Sequence, residues 1–172
     1  IGVKFKATEN GVINGIRYYK GTGTTRTYVG SLWTTAGVSL ASATFTSETE
    51  SGWQEVLFSS PVAITAGVTY VASYYSPSGD YAATKPYFTQ AIVNGPLRAL
   101  ADGEDGPNGV YRYSATSVFP NNTFQSSNYW VDVVFSTGSG SDITAPTVTS
   151  VSPLSGATGV SINTTVTANF SE

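Results

Sequence analysis

Cysteine, methionine and histidine are all missing from this 172-residue chain. Their absence removes thiol nucleophiles, disulfide staples, imidazole bases and the usual zinc ligand sets together. Charge is scarce as well. Eight Lys and Arg stand against eleven Asp and Glu, which is 11 % of the chain and a net charge of -3. With no basic surplus to neutralise a phosphate backbone or an anionic bilayer, nucleic acid is not an expected partner. No run approaches the roughly 20 apolar residues of a membrane-spanning helix, and no charged and apolar leader opens the chain. Helical periodicity is missing too, since no apolar pattern with a period of about 3.6 persists for three turns.

What is present is period two. Runs rich in β-branched and aromatic residues recur between clusters of Gly, Pro, Asn and Ser. In "IGVKF", Ile1, Val3 and Phe5 alternate with Gly2 and Lys4; in "GIRYYKG", Ile16 and Tyr18 alternate with Arg17 and Tyr19. "YVGSLW", "SLASATF", "GWQEVLF", "TYVASYY", "GVYRY" and "NYWVDVVF" follow, with "KGTGTT", "ITAG" and "SPSGD" as turn signals between several of them. Two stacked antiparallel sheets are the natural way to bury so many half-apolar strands. The expected fold is therefore an all-β antiparallel sandwich, jelly-roll-like or Ig-like. At 40 % hydrophobic residues the chain can fill such a core.

Composition changes after Phe135. "STGSGSDITAP" has the Gly, Ser and Thr content of a flexible linker ending at a proline. The expected organisation is a sandwich over residues 1–136, a linker over 137–145, and a second piece over 146–172. That last piece reads as two strands joined by a Gly-rich turn, too short to enclose the core of an Ig-like sandwich, which takes about 100 residues. Val148, Val151, Val160, Ile162, Val166 and Phe170 would need a partner surface, and strand addition to another chain is the expected way to supply one.

The segment "ADGEDGPNGVYRYS", residues 101–114, carries the densest polar chemistry. Asp102, Glu104 and Asp105 are hard oxygen donors suited to calcium, but their order departs from the D-x-D-x-D-G pattern of an EF-hand, and no distant bidentate Glu follows. Two readings stand: a calcium loop completed by backbone carbonyls, or a tight "GPNG" turn feeding a strand at Val110 to Tyr113. No cofactor is otherwise called for.

Aromatics form the next constellation, with eleven Tyr, eight Phe and three Trp. A flat ring can stack on the C–H face of a sugar while a neighbouring polar group takes its hydroxyls. Trp33 and Trp53 lie in alternating strands and read as core. Tyr75, Tyr81, Tyr87 and Tyr111 read as loop residues, and with Asp80, Arg98, Asn108 and Arg112 as polar partners they are the candidate ligand-binding set. Asp132 interrupts an otherwise apolar last strand and is expected to pair with Arg17 or Arg112, with a ligand role as the alternative. Glu48 and Glu50, in "TSETESG", read as a solvated turn. No spacing pairs two carboxylates across a sugar, so no catalytic residue is assigned and the chain is read as a non-enzyme.

The blocks "GVKF", "GIRYYKG", "VGSLW", "LASATF", "GWQEVLF", "PVAITAGVTYVASYYSPSGDYA", "NGPLRA", "DGPNGVYRY" and "NYWVDVVF" together closely resemble a bacterial extracellular domain family of unknown function, over essentially residues 1–136. "PTVTSVSP" and "GATGVSINTTVTANFSE" resemble the opening strands of a bacterial Ig-like domain. The resemblance implies a secreted or cell-surface setting beside Ig-like repeats and carbohydrate-active modules, and it supplies no catalytic residues. The functional expectation is a non-catalytic extracellular module that binds a glycan or cell-surface polymer. The alternative is a structural spacer or assembly unit of a surface fibre or adhesin, self-associating through residues 146–172.

Overall fold

The computed structural model describes residues 1–22, 26–137 and 147–171. The chain divides into two compact units, Ile1–Gly140 and Ser141–Glu172. Apart from Thr137, the expected linker lies outside the described residues.

The first unit is built from β1 (Gly2–Ala7), β2 (Gly11–Lys20), β3 (Val29–Thr34), β4 (Ser39–Thr44), β5 (Gly52–Ile64), β6 (Tyr70–Tyr75), β7 (Ile92–Asn94), β8 (Leu97–Ala99), β9 (Val110–Tyr111), β10 (Asn122–Thr123) and β11 (Val131–Ser136). An eight-stranded sheet runs β10-β9-β1-β6-β3-β4, with the β7–β8 pair attached to β1 through β8. A three-stranded sheet runs β11-β2-β5. The strand pairs are antiparallel. This is the expected sandwich, and no helix occurs among the described residues.

Alternation decides which face each sheet buries. β1 turns Val3, Phe5 and Ala7 inward, β2 turns Ile16 and Tyr18, and β11 turns Val131 and Val133. Burial of each large side chain stabilises the fold by about 1.5–3 kcal/mol. At the centre the Tyr18 ring stacks on Tyr74 at 4.6 Å, lies tilted against Tyr28 at 4.8 Å and meets the Phe45 edge at 4.8 Å. Trp33 is core, as expected, and its indole N–H donates to Ser73 Oγ at 2.8 Å.

Three expectations are overturned. Trp53 is not core but 42 % exposed, because β5 turns Gln54 and Phe58 inward and so sends Trp53 and Leu57 outward. Gln54 tolerates burial because its side-chain oxygen accepts the Thr49 N–H at 2.8 Å and its amide donates to Thr49 Oγ1 at 2.7 Å. Glu48 does not sit in open solvent. Its carboxylate accepts from the Tyr18 hydroxyl and pairs with Lys20 Nζ at 3.1 Å, and both side chains are largely buried.

Asp132 pairs with neither arginine. On β11, one of the two edge strands of the smaller sheet, it accepts the Val133 N–H at 2.8 Å. Arg17, opposite it on β2, faces Glu55 at 3.6 Å and lies 5.4 Å from the Trp53 ring instead.

The second unit contains β12 (Val148–Ser152) and β13 (Thr167–Phe170), an antiparallel pair. The two strands are those expected from the sequence. Val148, Val151, Val160, Ile162, Val166 and Phe170 are all exposed, Ile162 almost completely at 99 %.

Candidate functional site

The acidic loop is organised by protein partners. Asp102 accepts the Asn108 N–H at 2.9 Å, Glu104 pairs with Arg98, and Asp105 accepts from the Thr69 hydroxyl. Arg98 holds the Glu104 carboxyl below its ordinary range, mainly by donating to it. The three carboxylates thus face separate partners, and no group of three acids suited to a metal occurs among the described residues. Since each of the three carboxylates already has its own protein partner, chelation is expected to leave the melting temperature within about 2 °C. A fall of several degrees, restored by added calcium, would return calcium to the loop.

Asn108 is a correction to the candidate set, being 0 % exposed. Its Oδ1 accepts from Lys4 N at 2.8 Å and Gly109 N at 2.7 Å, while Nδ2 donates to Lys4 O at 3.1 Å and Leu100 O at 2.7 Å. It clamps the loop to β1 and is closed to ligand. Gly109 beside it has a φ of +76°, and a Cβ there would lie 2.1 Å from Ser127 O, so only glycine brings the chain close enough. Arg98 is likewise engaged, on β8 with Glu104.

Tyr75, Tyr81, Tyr111 and Arg112 do come together. They line a groove of about 650 Å³. Tyr75 and Tyr111 arrive on the ends of β6 and β9 instead of in loops, and Tyr81 comes from the segment after β6. Asp80 is exposed and stands next to the lining residues Gly79 and Tyr81, outside the lining itself.

The structure adds Tyr113, Phe124, Tyr129 and Lys85 to the lining. The Tyr81 ring meets Tyr129 edge-on at 5.4 Å, Tyr111 meets Tyr113 at 5.5 Å, and Lys85 Nζ lies 4.9 Å from the Phe124 ring. Tyr113 is 84 % exposed, and Tyr81 and Phe124 are about half exposed, so their rings are open to a ligand. Burial pushes the Tyr129 hydroxyl above its ordinary range. Ser76 Oγ, also in the lining, is buried without a protein partner.

A family model described as "Domain of unknown function (DUF4082)" matches residues 1–131 of the 172. The chain belongs to this family. A second model, "Bacterial Ig-like domain", matches residues 142–172 of the chain. The order is the one that the sequence resemblance implied, a domain of unknown function followed by a bacterial Ig-like domain. No curated protein and no solved structure matches the chain.

Within the DUF4082 domain, Tyr87 belongs to a different place. It lies 5.5 Å from Trp130 in a smaller cleft of about 190 Å³, lined also by Trp53, Ile92 and Asp132. Trp130 has a φ of +52°, held by Asn128 Oδ1 accepting its N–H at 2.8 Å. The sequence did carry a signal for Tyr113, because Tyr111 and Tyr113 in "VYRY" stand two apart and period two places both on one side. Phe124 and Lys85 come from segments with no period to read.

Proposed function

We propose that the DUF4082 domain is a non-catalytic extracellular module that binds glycan in the tyrosine-lined groove. One observation carries the reading: six aromatic rings, those of Tyr75, Tyr81, Tyr111, Tyr113, Phe124 and Tyr129, border a single groove of about 650 Å³. That size lies within the roughly 300–1,000 Å³ of ordinary ligand sites. Tyrosine combines a flat apolar face for the sugar ring with a hydroxyl for its polar edge. Among the described residues that border the groove no side chain is a carboxylate, whereas glycoside hydrolysis takes a pair of them. This composition supports binding without bond cleavage.

The experiment is affinity electrophoresis or calorimetry of the whole chain against a panel of polysaccharides. Tyr113→Ala and Tyr81→Ala are each expected to weaken binding about ten-fold while leaving the melting curve in place, as loss of one stacking surface should. If wild-type protein retains no polysaccharide at all, the reading fails and the structural alternative takes its place. That alternative draws on the exposed apolar side chains of the β12–β13 sheet, Phe170 and Val166 among them.

A further inference from the structure

We infer that the groove selects acidic glycans, polysaccharides bearing uronate carboxylates, over neutral ones. This deepens the glycan reading of the same groove and rests on it.

The fully charged side chains bordering the groove are Lys85 and Arg112, both cationic. Across the chain acids outnumber bases by eleven to eight, so a lining with two bases and no acid runs against the balance of the molecule. Long-range attraction is therefore not the source of selectivity, because the net charge of -3 repels a polyanion. Any preference has to come from contact in the groove.

Both cations are available for that contact. The ion pairs among the described residues are Arg17–Glu55, Lys20–Glu48 and Arg98–Glu104, and neither Lys85 nor Arg112 takes part. Arg112 is exposed in the lining and stands in sequence between Tyr111 and Tyr113, whose rings meet at 5.5 Å. A guanidinium beside a stacking surface can take a carboxylate bidentately while the sugar ring lies against the aromatic face. Lys85 is held over the Phe124 ring, which steers its ammonium without consuming its charge. Asp80, exposed and adjacent in sequence to the lining residues Gly79 and Tyr81, is not itself part of the lining.

The test uses the whole chain and three polymers: polygalacturonate, the same polymer methyl-esterified so that its charge is removed, and polyglutamate as an acid without sugar. Polygalacturonate is expected to bind on the order of ten-fold more tightly than its ester, with the difference shrinking as salt rises. The double substitution Lys85→Gln with Arg112→Gln should bring the two polymers level without moving the melting temperature. Equal wild-type affinity for the acid and the ester overturns acidic selectivity and leaves the glycan reading standing. Polyglutamate binding as tightly as polygalacturonate also overturns it, since the groove would then read charge alone. Retention of no polysaccharide of any kind removes the glycan reading itself.

Discussion

Asn108→Ala is expected to destabilise the DUF4082 domain by about 3–5 kcal/mol, lowering its melting temperature by about 10–20 °C. The magnitude follows from what the side chain leaves behind. Two backbone N–H groups, of Lys4 and Gly109, and two carbonyls, of Lys4 and Leu100, lose their side-chain partner at once. The site is fully buried, so water cannot replace the amide without opening the structure. Asn108→Asp keeps the acceptor, removes both donors and buries a carboxylate, and it should be destabilising as well. Calorimetric melting of the two variants decides the matter. A shift of less than about 2 °C for the alanine variant would show that the clamp contributes little.

Alkali should unfold the domain with unusual steepness. Burial, with the Glu48 hydrogen bond added, raises the Tyr18 hydroxyl far above its unfolded value near 10, and burial raises Tyr74 likewise. A group whose folded pKa is raised contributes its full stability below the unfolded value. Above about pH 10 the unfolded chain releases protons that the folded chain must keep, and stability declines by about 1.4 kcal/mol per pH unit for each such tyrosine. Two of them remove about 5 kcal/mol between pH 10 and 12, comparable with the whole stability of many domains. Denaturant midpoints measured from pH 9 to 12 should fall accordingly. Tyr74→Phe removes one ionisation and should flatten the slope by about a third to a half, Tyr18 and the less strongly raised Tyr129 remaining. A midpoint constant up to pH 11.5 would mean that these hydroxyls ionise freely in the folded state.

How much was legible in the sequence follows from how locally each feature is encoded. Ile16 and Tyr18 on β2, and Val131 and Val133 on β11, were readable because one buried face forces strict alternation. Trp53 was misread by the same logic, since size suggests burial, yet its neighbour Gln54 takes the inward position with Thr49 as partner. Glu48 looked solvated because its loop is polar; its partners Tyr18 and Lys20 lie 30 and 28 residues away. Asn108 looked like a ligand residue because it sits in a loop, while its partner Lys4 is 104 residues distant. The groove was half legible. Tyr75, Tyr81, Tyr111 and Arg112 were singled out, but only tertiary folding adds Phe124 and Lys85 to them.

The edge strand β11 has a further consequence for the module under tension. Thr8–Asn10 turn β1 straight back into β2 of the facing sheet, and β11 is antiparallel to β2. β11 therefore runs in the same sense as β1, and the chain enters the domain at one end and leaves at the other. Tension between those ends acts along the strands, sliding β1 against β6 and β11 against β2. Ladder hydrogen bonds lie across the strands, so this loading is shear, and the bonds of a ladder resist together instead of parting one by one. Loaded from those two ends, the β1–β6 and β11–β2 ladders would part in shear and not by unzipping.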